Sequence, residues 1–457
     1  MSSERKRPSG KKHSASNYIE AEDRPGLAAR QCATRLLGAV IEKQTSLDGL
    51  TDNGNGHPQY MALDERDRSL VRAILGAALR NRGTIEALIG QLIDRPLPEN
   101  AVALRHLLHV AAAQILYLDL PDRAAVDLAV TAANNDPRNR RFASMVNAVL
   151  RRLSREKDSI VSAASNVPAW FEDSLIAAYG KDKTKAILDI QSKEPPIDLT
   201  VKGDPQEWAE RLGGIALPTG SVRMAQVDGA LTSLPGFAEG DWWVQDTAAS
   251  LPAKLFGDIK GKRVADLCAA PGGKTAQLAQ AGAKVTALDL SANRLKRLRL
   301  NLERLQLTAE TVEANLAAYS PDELFDAVLL DAPCSSTGTV RRHPDVPWTK
   351  SPADIQKLAT LQAKLLDHAV ALVRPGGVVV FSNCSLDPLE GEKVANDLLA
   401  KNPAIELLPV TRDEVGGLAE LISDEGYVRS TPADLANDDP ALSGMDGFFA
   451  ARFRRKH

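Results

Sequence analysis

Cysteine is scarce: four occur in 457 residues, Cys32, Cys268, Cys334 and Cys384. So few thiols over such a length exclude a disulfide framework. None has C-x-x-C spacing, so no structural zinc site is expected, and no metal. Long apolar runs are absent too, and none approaches the length of a membrane span. The first residues, MSSERKRPSGKKHSASNY, are basic but lack the apolar stretch of a signal peptide. The sequence therefore predicts a cytoplasmic protein with reduced thiols, neither secreted nor membrane-inserted. Net positive charge is also missing. Fifty-six Lys and Arg stand against 59 Asp and Glu, for −3 overall, which speaks against a uniformly basic nucleic-acid binder. What remains is 44% hydrophobic and 25% charged, enough to bury a sizeable core in about three domains.

Composition divides the chain. Residues 1–23 are rich in Ser, Lys and Arg without periodicity and read as a disordered basic tail. From residue 24 to 160 the apolar spacing is helical, in Leu27–Ile41, Leu70–Leu79, Val102–Leu118, Ala124–Ala133 and Phe142–Leu153. Prolines and the Gly/Asn-rich loop at Asp52–His57 break these runs, and the pattern predicts an all-α bundle. Its charge differs from the rest: residues 1–160 hold 24 Lys and Arg against 19 acids, the remainder 32 against 40. Arg138, Arg140, Arg141, Arg151, Arg152 and Arg155 form a basic edge suited to a phosphate backbone, though a solvated helix face has the same composition. Residues 161–240 read as a helix over Val167–Leu188 followed by a small α/β subdomain.

Over residues 241–457, short strands alternate with helices. Strand candidates are Arg263–Leu267, Val285–Leu290, Thr311–Leu316, Asp326–Leu330 and Val378–Phe381; helices fill Lys274–Ala281, Ala292–Leu305 and Ala353–Val373. That alternation predicts a doubly wound, mostly parallel sheet with ligands at the carboxyl ends of its strands. The first strand runs into Cys268-Ala269-Ala270-Pro271-Gly272-Gly273-Lys274. Small residues there let a ligand approach the backbone, and the next helix offers free N–H groups. A triphosphate loop is a poor fit, because Cys268 stands where its first glycine belongs and Pro271 removes an N–H. An adenosine site needs an acid at the end of the second strand for the ribose hydroxyls, and Asp289 is in that place. Without a full G-x-G-x-x-G, a cofactor lacking pyrophosphate, such as S-adenosylmethionine, fits better than a dinucleotide.

Two later strands end in cysteine motifs, Asp331-Ala-Pro-Cys334 and Ser382-Asn383-Cys384. A thiolate adding to C6 of cytosine makes C5 nucleophilic enough to accept a methyl group. That scheme needs a low-pKa cysteine, an acid near the base and a group that helps release. Asp331, Cys334 and Cys384 supply the set, and spacing alone leaves open which cysteine attacks. Cys32, inside the bundle, reads as an inert core thiol.

Several long segments resemble the RNA cytosine-5 methyltransferases of the Sun/RsmB type: DLCAAPGGKT (266–275), LDAPCSSTGTVRRHPDVPW (330–348), SNCSLDPLEGE (382–392), and the flanking GDWWVQDTAAS (240–250) and MDGFFAARF (445–453). The run Arg341–Asp345 is similar to the branch acting on small-subunit ribosomal RNA, and FASMVNAVLRRL (142–153) resembles the end of a NusB-like RNA-binding bundle. The resemblance implies a NusB-like all-α domain, then an α/β subdomain and a Rossmann-like methyltransferase domain. It implies Cys384 as nucleophile, Cys334 as helper in product release and Asp331 at the target base. S-adenosylmethionine would be surrounded by Cys268 through Lys274, Asp289, Asn315 and Asp331. Two positions depart from that pattern: Asn315 replaces an acid, and Asn383 replaces the threonine before the nucleophile.

The expected activity is S-adenosylmethionine-dependent cytosine-5 methylation of 16S ribosomal RNA by a monomer. The same chemistry on transfer RNA, and a non-catalytic RNA-binding factor of the antitermination type, are the rivals. The clusters Arg294–Arg299 and Arg452–Lys456 read as solvated charge, and Trp242, Trp243 and Trp348 as core packing rather than base-stacking platforms.

Overall fold

The computed structural model describes residues 24–227 and 229–457; the expected basic tail, 1–23, lies outside the described residues. The chain divides into two compact units at Asn166/Val167.

The first unit is all helix among its described residues. The longer helices are Leu27–Lys43, Glu65–Arg80, Arg82–Leu92, Val102–Tyr117, Asp122–Asn135 and Ala143–Glu156. Local chemistry sets their limits. Asp64 caps the second of these by accepting the Asp67 N–H at 2.7 Å, and Glu65 and Asp67 complement the positive end of its dipole. In Ala143–Glu156 the buried residues are Ala143, Val146, Val149, Leu150 and Leu153, at three- and four-residue spacing. That stripe leaves Arg151, Arg152 and Arg155 in solvent. The helix Arg82–Leu92 was not among the sequence expectations. Gly83 and Gly90 dilute its apolar pattern, yet Ile85, Leu88, Ile89 and Leu92 are buried along one face.

The second unit opens with a helix over Ala169–Gln191, kinked at Gly180, whose φ of 75° departs from helical geometry. A four-stranded antiparallel sheet comes next, in the order β2-β3-β1-β4, from β1 (Ile197–Val201), β2 (Ile215–Ala216), β3 (Ser221–Met224) and β4 (Trp242–Val244). Trp242 is fully buried and Trp243 nearly so, in agreement with the packing reading.

The large sheet comprises β5 (Arg263–Leu267), β6 (Lys284–Asp289), β7 (Glu310–Glu313), β8 (Phe325–Asp331), β9 (Val373–Asn383), β10 (Ile405–Leu407), β11 (Val428–Ser430) and β12 (Phe448–Arg455). Its order is β10-β12-β9-β8-β5-β6-β7, with β11 pairing to β12. Strands β5 to β9 are parallel, while β12 enters antiparallel beside β9. The central strands carry near-continuous apolar runs because both faces are covered. Phe325, Leu366, Phe381 and Phe453 fill one layer of the core, and Leu251, Leu278, Leu329 and Val380 the other. The helices Gly273–Gln280, Ala292–Arg304 and Pro352–Leu372 sit within a residue of their expected limits. Strand β9 begins earlier than expected because Gly376, at φ 78°, and Gly377 let Val373 pair with Phe325 across an irregular register.

Candidate active site

Strand order places the chemistry. The chain winds outward from β5 through β6 to β7, then crosses to β8 on the other side of β5. A crevice therefore opens at the carboxyl ends of β5 and β8. Register brings the strand ends level: Leu267 pairs with Leu330, and Asp331 with Ser382. The turn at Cys268, the Asp331 motif and the Asn383 motif are thus carried by three adjacent strands.

The turn after β5 is built for close approach. Cys268 takes a left-handed φ of 64°, and Gly272 takes 103° as the residue before helix Gly273–Gln280. Any Cβ on Gly272 would lie 2.8 Å from the Leu298 side chain, so only glycine fits there. Asp289, at the end of β6, accepts the Ala270 N–H at 3.2 Å and the Ser291 N–H at 3.0 Å, and Arg294 lies 3.1 Å from its Oδ2. Beneath the turn, Asp266 is fully buried. Thr275 donates to its Oδ2 at 2.5 Å, while Oδ1 has no hydrogen-bond partner among the described residues. Burial raises the Asp266 carboxyl to about 7 and the Cys268 thiol to about 12. A glycine cradle, helix N–H groups, an acid at the second strand end and an orphaned buried oxygen suit a ligand carrying ribose hydroxyls and a cationic amino-acid end. These residues fit S-adenosylmethionine.

Asp331 links the turn to the thiols. Lys274 Nζ lies 2.7 Å from its Oδ2, and Ser382 Oγ donates to Oδ1 at 3.0 Å. Lys274 also sits 4.9 Å over the Phe448 ring. Cys334 and Cys384, both half-buried, bring their sulfurs to 3.4 Å. Ser336 Oγ is 3.6 Å from Cys384 Sγ and 4.0 Å from Cys334 Sγ. Two thiols this close favour one shared proton. Donation from Cys334, then the nearby Ser336 hydroxyl and Lys274, hold Cys384 below the usual thiol range, against burial. The same contact pushes Cys334 well above it. Within the pair, Cys384 is therefore the thiol that gives up its proton first and Cys334 the one that keeps it. Its neighbourhood is tightly packed: a Cβ on Gly338 would fall 2.0 Å from the Gly447 carbonyl oxygen, and the Gly338 N–H donates to Cys384 O at 2.9 Å.

Cys268, Ala269, Ala270, Pro271, Gly272, Gly273, Lys274, Asp289, Asp331, Cys334 and Cys384 thus lie at the ends of β5, β6, β8 and β9. Asn315 stands just beyond β7, is exposed, and uses Oδ1 to accept the Ala317 N–H at 3.1 Å. Asn383 is buried; its Oδ1 accepts the Ser385 N–H at 3.0 Å and its Nδ2 donates to Glu390 O at 2.6 Å. Other arginines are tied into the fold. Arg341 is 1% exposed and bonds Asp246 and Asp446, the latter at 2.9 Å. Arg342 also bonds Asp446, and Arg452 pairs with Glu414. Sequence reasoning missed Ser336, Ser382 and Glu390, since lone hydroxyls and an acid in a loop carry no spacing signal.

Two families match the chain: 16S rRNA methyltransferase RsmB/F over residues 257–454, and the NusB family over residues 27–155. A ribosomal RNA small subunit methyltransferase B from Xylella fastidiosa is 37% identical over 93% of this chain and 98% of its own length. One from Pseudomonas putida is 34% identical over 93% of this chain and 97% of its own. Among solved structures, a methyltransferase homolog protein from Pyrococcus horikoshii superposes with a TM-score of 0.51 at 27% identity, covering 63% of this chain and 100% of its own.

Proposed function

Because the chain belongs to the RsmB/F family of S-adenosylmethionine-dependent methyltransferases of small-subunit ribosomal RNA, we propose that it methylates C5 of a cytosine in 16S RNA through a covalent Cys384–C6 adduct. The observation that carries this reading is the pair of sulfurs 3.4 Å apart at neighbouring strand ends, with the thiolate favoured on Cys384.

S-adenosylmethionine, when bound, supplies an electrophilic methyl group; Cys268 through Lys274, Asp289 and Asp331 would hold it, with Asn315 at the adenine side. The Cys384 thiolate adds to C6 of the ring, and the electron pair moves to C5. Asp331, oriented by Lys274 and Ser382, contacts the base on its N3 side, where it accepts from the exocyclic amino group and fixes the orientation of the ring. After C5 has accepted the methyl group, its proton leaves to a base in the cleft. The C6–S bond then breaks and returns the thiolate to Cys384. Cys334, in contact with Cys384, assists that release. Attack on C6 comes from above the ring plane, so the target cytosine is unpaired or flipped. The helical unit, through its exposed arginines, grips the RNA backbone.

Cys384→Ala is expected to abolish labelled-methyl transfer to small-subunit RNA, and undiminished incorporation would sink the assignment. Cys334→Ala is expected to accumulate a denaturant-resistant protein–RNA adduct. An adduct with Cys384→Ala instead would exchange the two roles. Bisulfite sequencing of ribosomal RNA from cells with and without the gene would locate the cytosine.

A further inference from the structure

The two thiols sit on separate loops whose Cys residues are 50 positions apart in sequence, so something must fix their separation. Between the loops lies a buried polar network with Glu390 at its centre, itself fully buried. On one side its carboxylate accepts the Ser335 N–H at 2.9 Å and the Ser335 hydroxyl, directly after Cys334. On the other its main-chain carbonyl accepts Asn383 Nδ2 at 2.6 Å, directly before Cys384. Gln362 Nε2 braces the arrangement, donating to Glu390 Oε1 and to Pro333 O, each at 2.9 Å. Ser385 Oγ closes the ring, 3.2 Å from Ser335 Oγ and 3.1 Å from Thr337 Oγ1. Glu390 touches neither sulfur.

We propose that Glu390 is a positioning residue for methyl transfer, holding Cys334 and Cys384 in contact through Ser335 and Asn383. A buried hydrogen-bonded network of this kind fixes one geometry, and a displaced reacting group loses rate steeply. Asn383 has a specific part, since a threonine at that position could not reach the Glu390 carbonyl with an amide N–H. The proposal rests on the reading of Cys384 as nucleophile.

The test follows Cys384 alkylation by iodoacetamide against pH in the full chain, read peptide by peptide by mass spectrometry, beside single-turnover methyl transfer. In Glu390→Ala the Cys384 midpoint should rise toward the free-thiol value of about 8.5. Transfer should slow by about 10- to 100-fold, with cofactor and RNA affinities unchanged. Glu390→Gln should restore both, because its oxygen can accept from Ser335 N and Gln362 while its amide donates to Ser335 Oγ. A folded Glu390→Ala protein with an unshifted profile and an unchanged rate overturns the proposal, as does a Gln variant as impaired as Ala. If Glu390→Ala does not fold, Asn383→Thr should shift the profile in the same direction by less, and no shift overturns it equally. Alkylation needs neither RNA nor cofactor. Retained methyl transfer by Cys384→Ala would therefore break the functional reading without deciding the alkylation result.

Discussion

The helical unit and the α/β unit place the same residue type in opposite settings. In the α/β unit arginine is an internal strut: Arg223 is completely buried against Asp198 at 2.7 Å, and Arg341 bridges Asp246 and Asp446. In the helical unit Arg138, Arg140, Arg141, Arg151, Arg152 and Arg155 are exposed. A basic run in sequence therefore has two physical meanings. Where acids from distant segments converge on it, the charge is consumed by the fold. Where only a local acid stands beside it, as Asp136 does by Arg138 and Glu156 by Arg152, the charge stays at the surface, where phosphates can reach it.

The sharpest way to break this contrast is Arg341→Ala. Removing the guanidinium leaves Asp246 in the interior without its ion-pair partner, while Arg342 still holds Asp446; breaking a buried pair in this way typically destabilises by about 3–5 kcal/mol. Urea denaturation should show that loss in the α/β unit. A change under about 1 kcal/mol would mean the cluster is solvated and the contrast is wrong.

The units also differ in how acidity acts on them. Burial lifts Asp266 to about 7, so in the folded α/β unit it keeps a proton that the unfolded chain loses near pH 4. Its contribution is favourable at low pH and declines as pH rises through 7, at about 1.4 kcal/mol per unit of pKa difference. In the helical unit burial lowers His109 to about 3. The unfolded chain gains that proton first, so the helical unit loses stability as pH falls from about 6.5 toward 3. Pulse proteolysis of the full chain, with fragments of each unit followed separately, should give slopes of opposite sign from these groups. Asp266→Asn should flatten the decline in the α/β unit alone, and an unaltered slope would refute the buried-acid account.

The sequence was most legible where one residue's environment is local. The strand–turn–helix at Arg263–Gln280 arises from an apolar run, two glycines and a helix start, and β5 has the expected limits. Asp289 was legible because a ribose-binding acid has a fixed place in the winding. The antiparallel entry of β12 was not, since eight residues of Phe, Ala and Arg read alike in either direction and only their pairing with β9 decides. The 3.4 Å sulfur contact was out of reach for a related reason. Neighbouring strands put two cysteines in one cleft, but their separation depends on Glu390, Asn383 and Ser335, whose hydrogen bonds are long-range and leave no periodic trace. Likewise nothing in the run Arg341–Arg342 marks it as an internal strut until Asp446, 105 residues on from Arg341, is seen to hold it.

The smallest expected effect on stability sharpens the comparison from the other side. Arg140, Arg151 and Arg155 are exposed, and Arg140 donates to the main chain at Asn134 O, at 2.8 Å. Replacing all three by Gln should shift folding stability by no more than about 0.5 kcal/mol per site. If they meet phosphates, RNA affinity should fall similarly for every sequence tried. The slope of log affinity against log salt should shrink by roughly 0.7 for each phosphate of a single strand that is no longer neutralised. A helix face that is merely solvated gives an unchanged slope. The salt series separates the two readings because displaced counterions register only where a cation stands against the backbone.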